Sequence, residues 1–92
     1  MNGKMYVGLV LGSVVATRKS EELVGKKLLI VQQVNPKDGN LGAFEVAVDS
    51  VGAGTGEHVL VTKGQPAMYV FGTTPSCIDS AIVGIVDSME VS

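Results

Sequence analysis

The amino-acid sequence predicts an all-β protein, a small five-stranded β-barrel with one short helix. Sixteen Val and four Ile residues dominate the aliphatic side chains, and β-branched residues favour strands over helices. Five apolar or alternating segments are separated by segments rich in Gly, Pro and Asn, which are typical of turns. A chain of 92 residues has room for one hydrophobic core, so we expect a single domain spanning residues 1–92.

The five predicted strands differ in how clearly the sequence marks them. Gly8 and Gly12 interrupt the first strand and are expected to be points of bending or bulging. The third strand alternates, which places Phe44, Val46 and Val48 on one face and Glu45, Ala47 and Asp49 on the other. The strands are predicted over Tyr6–Thr17, Lys26–Val34, Ala43–Val51, His58–Thr62 and Ala81–Val91.

The connections between these strands carry helix and turn signals. Ser20–Gly25 is interpreted as a single helical turn, which its first residue caps and its last residue ends. Asn35–Asn40 is predicted to be a turn. Ala67–Phe71 fits either a short strand or a helical turn. Thr74–Ser80 carries a helix-start signature, with Pro in the first turn and a Ser and an Asp at capping-box spacing.

The composition is strongly apolar for so short a chain, with 46% hydrophobic residues. Either the core is dense in small aliphatic side chains or part of the surface is buried against other subunits. The longest uncharged apolar runs, Met5–Thr17 and Ala67–Ile78, are shorter than the ~20 residues of a membrane-spanning helix. The single Cys77 excludes an internal disulfide and fits a reducing cytosol. We therefore expect a soluble, unexported protein without a membrane partner.

The charge is distributed unevenly along the chain. Residues 1–37 carry a formal charge of +4, and residues 38–92 carry −6, which gives the net charge of −2. This asymmetry suits head-to-tail pairing of unlike faces, although solvated faces would look the same.

The segment Gly52–Gly56 is a glycine-rich loop that invites comparison with nucleotide-binding loops. No Gly-Lys-Ser/Thr follows it, which excludes a P-loop, and a strand follows where a dinucleotide-binding motif needs a helix. Two interpretations stay open. The loop is either a tight turn between strands or a place where backbones pack too closely for side chains, as around a symmetry axis.

His58 and Cys77 are the chain's single histidine and single cysteine, and neither has the neighbours that chemistry requires. A metal site needs further ligands at usable spacing, and a Cys–His nucleophile pair needs a local signature that is missing. We therefore predict no catalytic residue, no metal and no cofactor. His58 is interpreted as a packed or interface residue.

Four basic residues bracket the first turn and suggest a basic patch: Arg18, Lys19, Lys26 and Lys27. Small five-stranded barrels often bind oligonucleotides, so single-stranded nucleic-acid binding is an alternative function. The isoelectric point near 5.2 and the presence of only four aromatic residues argue against it. Docking of an acidic protein neighbour, or a solvated surface, fits these charges better. A small-ligand-binding protein is a further alternative.

Four blocks of sequence, taken together, resemble a known family. They are residues 8–19 (GLVLGSVVATRK), 23–32 (LVGKKLLIVQ), 47–61 (AVDSVGAGTGEHVLV) and 78–87 (IDSAIVGIVD). The chain is similar, from about Met5 to Asp87, to the EutN/CcmL family of pentameric vertex proteins of bacterial microcompartment shells. The resemblance implies an OB-like barrel, a cyclic homopentamer at a five-fold vertex, a structural role without catalytic residues, and a location in a shell within the cytoplasm.

The resemblance also implies roles for individual residues. It places one set around the five-fold axis and its pore: Ser50, Val51, Gly52, Ala53, Gly54, Thr55 and Gly56. It offers a second set as contacts with other subunits or with hexameric shell proteins: Asp49, Glu57, His58, Arg18, Lys19, Lys26 and Lys27. Under this interpretation nucleic acid is not a partner.

Overall fold

The structure is a computed structural model that describes residues 4–17, 19–72 and 78–90. Within these segments the chain forms five strands, one 3₁₀ turn and one short α-helix. The strands are β1 (Met5–Val14), β2 (Lys27–Val34), β3 (Leu41–Asp49), β4 (His58–Lys63) and β5 (Ser80–Ile85); the 3₁₀ turn spans Glu21–Leu23 and the helix α1 spans Gln65–Met68. The predicted fold class, a five-stranded barrel with one short helix, is confirmed.

The strands close into a barrel in the order β1-β2-β3-β5-β4, with β4 pairing back to β1. All pairs are antiparallel except β3 with β5, which run parallel through the pairs Val48–Ala81 and Asp49–Ile82. The closing pair of β3 with β5 is short, so β3 before Val48 has its only partner strand, β2, on its other side among the described residues.

The core fills the interior of the barrel with aliphatic side chains from all five strands and one loop. Each of the following side chains is at most 1% exposed: Val10, Leu29, Val31, Ala47, Ala53, Val59, Val61 and Ile82. A second, smaller cluster joins Val48 and Ala81 to Ala67 of α1 and to Ile78. Since Val48 and Ala81 are paired on β3 and β5, α1 and its neighbours cover the outer face of these two strands.

The two glycines of β1 serve different purposes. The register between β1 and β2 shifts between Val10 and Gly12, so the expected bulge is present beside Gly12. Gly8 lies in regular pairing and is a place of close approach, because a Cβ atom there would collide with Cγ1 of Val31. The interpretation of Gly8 as a bend or bulge is therefore wrong, and close packing across the barrel explains its lack of a side chain.

Several predicted boundaries differ from the observed ones. β1 ends at Val14 rather than Thr17, and β3 begins at Leu41, two residues earlier than predicted. β5 spans only Ser80–Ile85, and the chain leaves the sheet before a bend at Asp87, although the apolar run continues through Val86. β5 ends at Ile85 because this residue pairs with Val59, the last partner that β4 provides. A continuous apolar run in the sequence does not show where such pairing ends.

The helix predictions are partly corrected. Ser20 precedes the 3₁₀ turn but its side chain makes no capping hydrogen bond, and Gly25 follows with a φ of +80°. The ambiguous segment Ala67–Phe71 contains the end of a helix, α1, which has Pro66 in its first turn. The predicted helix start at Thr74–Ser80 falls mostly on residues 73–77, outside the described residues. Its described end is not helical, because Ser80 already belongs to β5.

No helix within the described segments has the length and apolar character needed to cross a membrane.

Candidate functional site

The glycine loop, defined here as residues 50–57, connects β3 to β4 and is held by the side chain that precedes it. Asp49, the last residue of β3, is 8% exposed. Its Oδ1 accepts the amide of Val51 at 3.1 Å, and its Oδ2 accepts the amide of Ala53 at 2.9 Å. Aspartate is favoured at such positions because its short carboxylate reaches backbone amides a few residues ahead. One carboxylate therefore sets the first turn of the loop.

Ala53 anchors the middle of the glycine loop to the barrel. Its side chain is fully buried among the core residues inside the barrel. Its carbonyl accepts a hydrogen bond of 2.7 Å from Nζ of Lys27 on β2. Ala53, which the resemblance places around an axis, is fully buried within one chain and therefore presents no surface to a neighbour.

The second half of the glycine loop is tied to β1. The amide of Gly56 donates to the carbonyl of Val10 at 2.9 Å, and the amide of Val10 donates to the carbonyl of Glu57 at 3.0 Å. Gly54 donates its amide to Oε1 of Glu57 at 2.7 Å. Gly52 and Gly56 have φ values of +81° and +88°, which favour glycine. Gly54 does not share this constraint, and a Cβ atom there would meet only Glu57, at 3.6 Å.

The remaining loop residues face outward. Ser50 is exposed, although its hydroxyl donates to the carbonyl of Ile82 at 2.7 Å. Val51 is 40% exposed, and Thr55 is also exposed. Among the predicted axial residues, these three and the glycines are the ones whose surface is available to a neighbouring chain.

His58 begins β4 and pairs with Leu9 of β1. It is half-buried, and its carbonyl accepts the amide of Val86 at 2.8 Å. Directly opposed residues of an antiparallel pair share a face, and alternate residues of a strand do the same. His58 therefore lies on the outer face of the barrel with Leu9, Val7 and Leu60, since Val7 pairs with Leu60.

The predicted basic residues have separate partners. Lys27 binds the glycine loop, while Nζ of Lys26 lies 4.8 Å from the centroid of the Phe71 ring, a cation–π contact. Lys19 is exposed and reaches only the nearby carbonyl of Ala16, at 3.4 Å. Arg18 lies outside the described residues. Lys27 is exposed and its ammonium group also binds the glycine loop, so the basic patch stays a prediction.

Sequence reasoning missed a polar cluster of Tyr6, Glu45, Lys63 and Ser80 at the end of the barrel opposite the glycine loop. Lys63 Nζ lies 2.5 Å from Oε1 of Glu45, and Tyr6 donates its hydroxyl to Oε2 at 2.5 Å. Ser80 accepts a hydrogen bond from Lys63 and donates one to Glu45. Every polar atom named here has a partner within the cluster.

The polar cluster changes the acidity of two of its members. Burial alone would raise the pKa of Glu45, but hydrogen bonds from Lys63, Tyr6 and Ser80, with the charge of Lys63, hold it below its ordinary value. Burial raises the pKa of the Tyr6 phenol, and the hydrogen bond to the Glu45 carboxylate raises it further. Glu45 is therefore stabilised as a carboxylate and Tyr6 as a neutral phenol, which fits a structural ion pair.

The outer face of β3 is apolar and uncovered over its first half. Phe44 is 68% exposed and Val46 is 49% exposed. The alternation predicted for this strand is confirmed, because Ala47 faces the core and Val46 faces out. Large exposed apolar side chains of this kind mark sites of association.

Across the described part of the chain, no three His, Cys, Asp or Glu side chains are grouped as metal ligands would be. The features that stand out are a core completed within one chain, a loop of small residues held by hydrogen bonds, and apolar side chains on the outside of a closed sheet. They define a small closed β-barrel with apolar side chains exposed on its outer face.

Comparison with known proteins identifies the family. The chain belongs to the EutN/CcmL family, because the family model described as "Ethanolamine utilisation protein EutN/carboxysome" matches residues 5–87. The resemblance that the sequence blocks suggested is thereby confirmed.

Three relatives illustrate the family. The bacterial microcompartment shell vertex protein PduN of Salmonella typhimurium is 51% identical over 91 residues, covering 94% of this chain and 99% of PduN. The carboxysome shell vertex protein CcmL of Gloeobacter violaceus is 38% identical over 87 residues, covering 95% of this chain and 87% of CcmL. The solved structure of GrpN, a pentameric microcompartment shell protein from Rhodospirillum rubrum, matches with a TM-score of 0.84 and 46% identity, covering 94% of this chain and 99% of GrpN.

Proposed function

We propose that this protein is a structural vertex protein of a bacterial microcompartment shell, located in the bacterial cytoplasm as part of that shell. In this role it forms a homopentamer that caps a five-fold vertex, and it acts by closing the shell rather than by catalysis. The observation that carries the proposal is the match to pentameric GrpN over nearly the whole of both chains. The vertex proteins PduN and CcmL, from two kinds of compartment, support it.

The structure of the subunit suits this role. A closed barrel is a rigid unit. Five such barrels form a ring when each head-to-tail contact rotates the next subunit so that the fifth subunit contacts the first. The uncovered apolar side chains Phe44 and Val46 supply surface for such contacts. The core fills the barrel interior with side chains of one chain, which leaves the outer faces for contacts between subunits.

We place the glycine loop around the five-fold axis. Five copies of a loop converge most easily where side chains are small, and Gly52, Gly54 and Gly56 supply such positions. The hydrogen bonds from Asp49 and Lys27 give the loop a fixed shape, which a pore of defined width requires. Hexameric shell proteins would contact the rim of the pentamer, and Lys19 is an exposed residue available for this contact.

The mass of the particle in solution tests the oligomeric state. One chain has a mass of 9.5 kDa, so light scattering on the purified protein is expected to give about 48 kDa. A monomer that persists across micromolar concentrations would refute the proposal.

Substitution of Gly54 tests the location of the axis. A Cβ atom at Gly54 meets only Oε1 of Glu57, at an ordinary contact distance of 3.6 Å, so Gly54→Phe should leave the subunit folded, with an unchanged circular dichroism spectrum. Five phenyl rings at the axis should block ring closure or the pore, and light scattering or electron microscopy would detect either change. Lys37→Phe, on the exposed turn after β2, is the matched control. A Gly54→Phe pentamer with an open pore would show that the loop does not lie at the axis.

A further inference from the structure

The barrel has an opening at the end opposite the glycine loop. β3 pairs with β5 only at Val48 and Asp49, so the first half of β3 has no partner on that side among the described residues. A cavity of about 380 Å³, here called the mouth cavity, lies between this half of β3 and the start of β1. The mouths of β-barrels are frequent places for ligand sites, whose volumes are roughly 300–1,000 Å³. The mouth cavity therefore has the position and the size of a small-molecule site.

Glu45 and Lys63 of the polar cluster form one wall of the mouth cavity. Oε1 of Glu45 lies 2.5 Å from Nζ of Lys63, and Oε2 accepts the hydroxyl of Tyr6. The two opposite charges balance, so Glu45 does not make the cavity negative. An ammonium group has three N–H donors, and Lys63 uses two of them, on Glu45 and on Ser80. Because the side chain of Lys63 is 32% exposed, its third donor is available to a molecule in the cavity.

Lys4 and Gln33 add two further donor groups to the mouth cavity. Both residues are exposed, and within the described segments neither side chain makes a hydrogen bond or an ion pair with another residue. Since Lys63 balances Glu45, the charge of Lys4 gives the cavity an excess of one positive charge, in a chain whose net charge is −2. The donors and this local charge favour an anion as the ligand.

The mouth cavity also has an apolar wall. Met5 and Ala43 line it, and Met5 is 62% exposed. A second cavity, of about 630 Å³, shares Met5, Tyr6 and Gln33 with the mouth cavity and continues along Leu41, which is 57% exposed. An anion held by the lysines can therefore extend an apolar tail along Met5 towards Leu41. The flexible methionine side chain adapts to such a tail.

We propose that the mouth cavity binds a small carboxylate that carries an apolar tail. The carboxylate accepts hydrogen bonds from Lys4, Lys63 and Gln33, and the tail lies along Met5. Hydrogen bonds between ammonium groups and a carboxylate are stronger than those between neutral groups, and each buried CH₂ group adds to the affinity. This site goes beyond the proposed role in the shell. It lies at the other end of the barrel from the glycine loop, so it does not depend on where that loop lies in a ring.

A titration series tests the charge and the tail separately. Amide NMR spectra of the native protein are recorded with increasing hexanoate, butyrate, hexylammonium or inorganic phosphate. Hexanoate is expected to shift the amides of Tyr6, Gln33 and Ala43 in a saturable way. Butyrate, which has two fewer CH₂ groups, should bind about threefold to fifteenfold more weakly. Hexylammonium should give no saturable shift, and phosphate, which has no tail, should bind more weakly than hexanoate.

Two pairs of variants test the location of the ligand. Lys4→Met removes the unpaired positive charge and should weaken hexanoate binding by about twofold to fivefold, because the ion pair is exposed to solvent. Lys19→Met, at an exposed position beyond the other end of β1, is the matched control and should bind like the native protein. Ala43→Glu places a negative charge in the cavity and should abolish binding, whereas Ala43→Gln, with nearly the same shape, should retain it.

The possible results have distinct meanings. Equal shifts with hexylammonium would overturn the selectivity for an anion, and equal affinity for phosphate would overturn the role of the tail. Native affinity in Lys4→Met would overturn the proposed site, and this variant decides the matter if Ala43→Glu fails to fold. A pentamer by light scattering that does not bind hexanoate overturns the carboxylate site and leaves the proposed function intact. A native protein that binds hexanoate as a monomer overturns the proposed function and supports the site.

Discussion

Asp49 and Lys27 face each other across the β3–β2 pairing, and both bind the backbone of Ala53. Asp49 accepts the amide of Ala53 at 2.9 Å, and Lys27 donates to its carbonyl at 2.7 Å. The two residues thus bind both the backbone amide and the backbone carbonyl of Ala53, whose methyl group is fully buried in the core. Opposite charges on neighbouring strands fix the glycine loop at its centre.

Removal of the Asp49 carboxylate should destabilise the subunit. Asp49→Ala leaves the amides of Val51 and Ala53 without their acceptors, at a cost of about 1–3 kcal/mol. Asp49→Asn keeps one acceptor and should cost less. The free energy of unfolding in urea, at a fixed protein concentration, measures both effects, and Asp87→Ala at an exposed bend is the control. Equal stability of Asp49→Ala and the native protein would contradict the role assigned to this carboxylate.

Loss of the Lys27 ammonium group should loosen the same loop. Lys27→Met keeps most of the apolar stem but cannot donate to Ala53, and we expect a loss of about 0.5–1.5 kcal/mol. Hydrogen exchange at the amides of Ala53 and Gly54 should become faster, whereas Lys37→Met should leave it unchanged. Because Lys27 and Asp49 act on the same residue, their substitutions should not be additive. Additive effects would show that the two side chains act independently.

The two glycines of β1 should respond differently to alanine. A methyl group at Gly8 collides with the buried side chain of Val31, so Gly8→Ala should destabilise the subunit by about 1–3 kcal/mol. A Cβ atom at Gly12 has open space around it, which makes Gly12→Ala the matched control in the same strand. Thermal unfolding of the two variants compares them directly. A Gly8→Ala protein as stable as Gly12→Ala would mean that β1 and β2 separate without cost.

Acid should weaken the protein through Glu45. The pKa of this carboxyl lies below its ordinary value of 4.5 in the folded state, so its contribution to stability is present above that value. The contribution is lost as the pH falls through the lowered pKa. Urea unfolding between about pH 7 and about pH 3 should show this loss, and Glu45→Gln should reduce the pH dependence. Glu90→Gln, at an exposed position, should not. Identical pH profiles for both variants would contradict the role of the polar cluster.

The sequence was informative where a pattern is local. The alternation of Ala43–Val51 predicted a strand and its two faces, because side chains of a strand alternate whatever the strand packs against. It did not show which face is the core, because Val46 on one face and Ala47 on the other are both apolar. An apolar outer face is expected of a subunit that assembles with others. The sequence pattern of a single chain does not distinguish such a face from a face that packs in the core.

The polar cluster could not be found in this way. Tyr6 and Glu45 are separated by 39 positions, and Glu45 and Lys63 by 18. They meet only because β3 pairs with β5 and β5 with β4, a parallel crossover that no short motif announces. The one available signal was a charged residue, Glu45, on the same face of a predicted strand as Ala47. Such a residue requires a partner when that face is buried.

Because one chain fills its own core, we expect a subunit to fold first and to assemble afterwards. Val59, Val61 and Ile82 are fully buried before any neighbour arrives, so a newly synthesised subunit can be stable on its own. The same subunit exposes Phe44, so it can bind other apolar surfaces until a neighbour covers that side chain. In the proposed ring a second subunit covers Phe44, so the interval between folding and ring closure is the one in which a subunit can bind unrelated proteins.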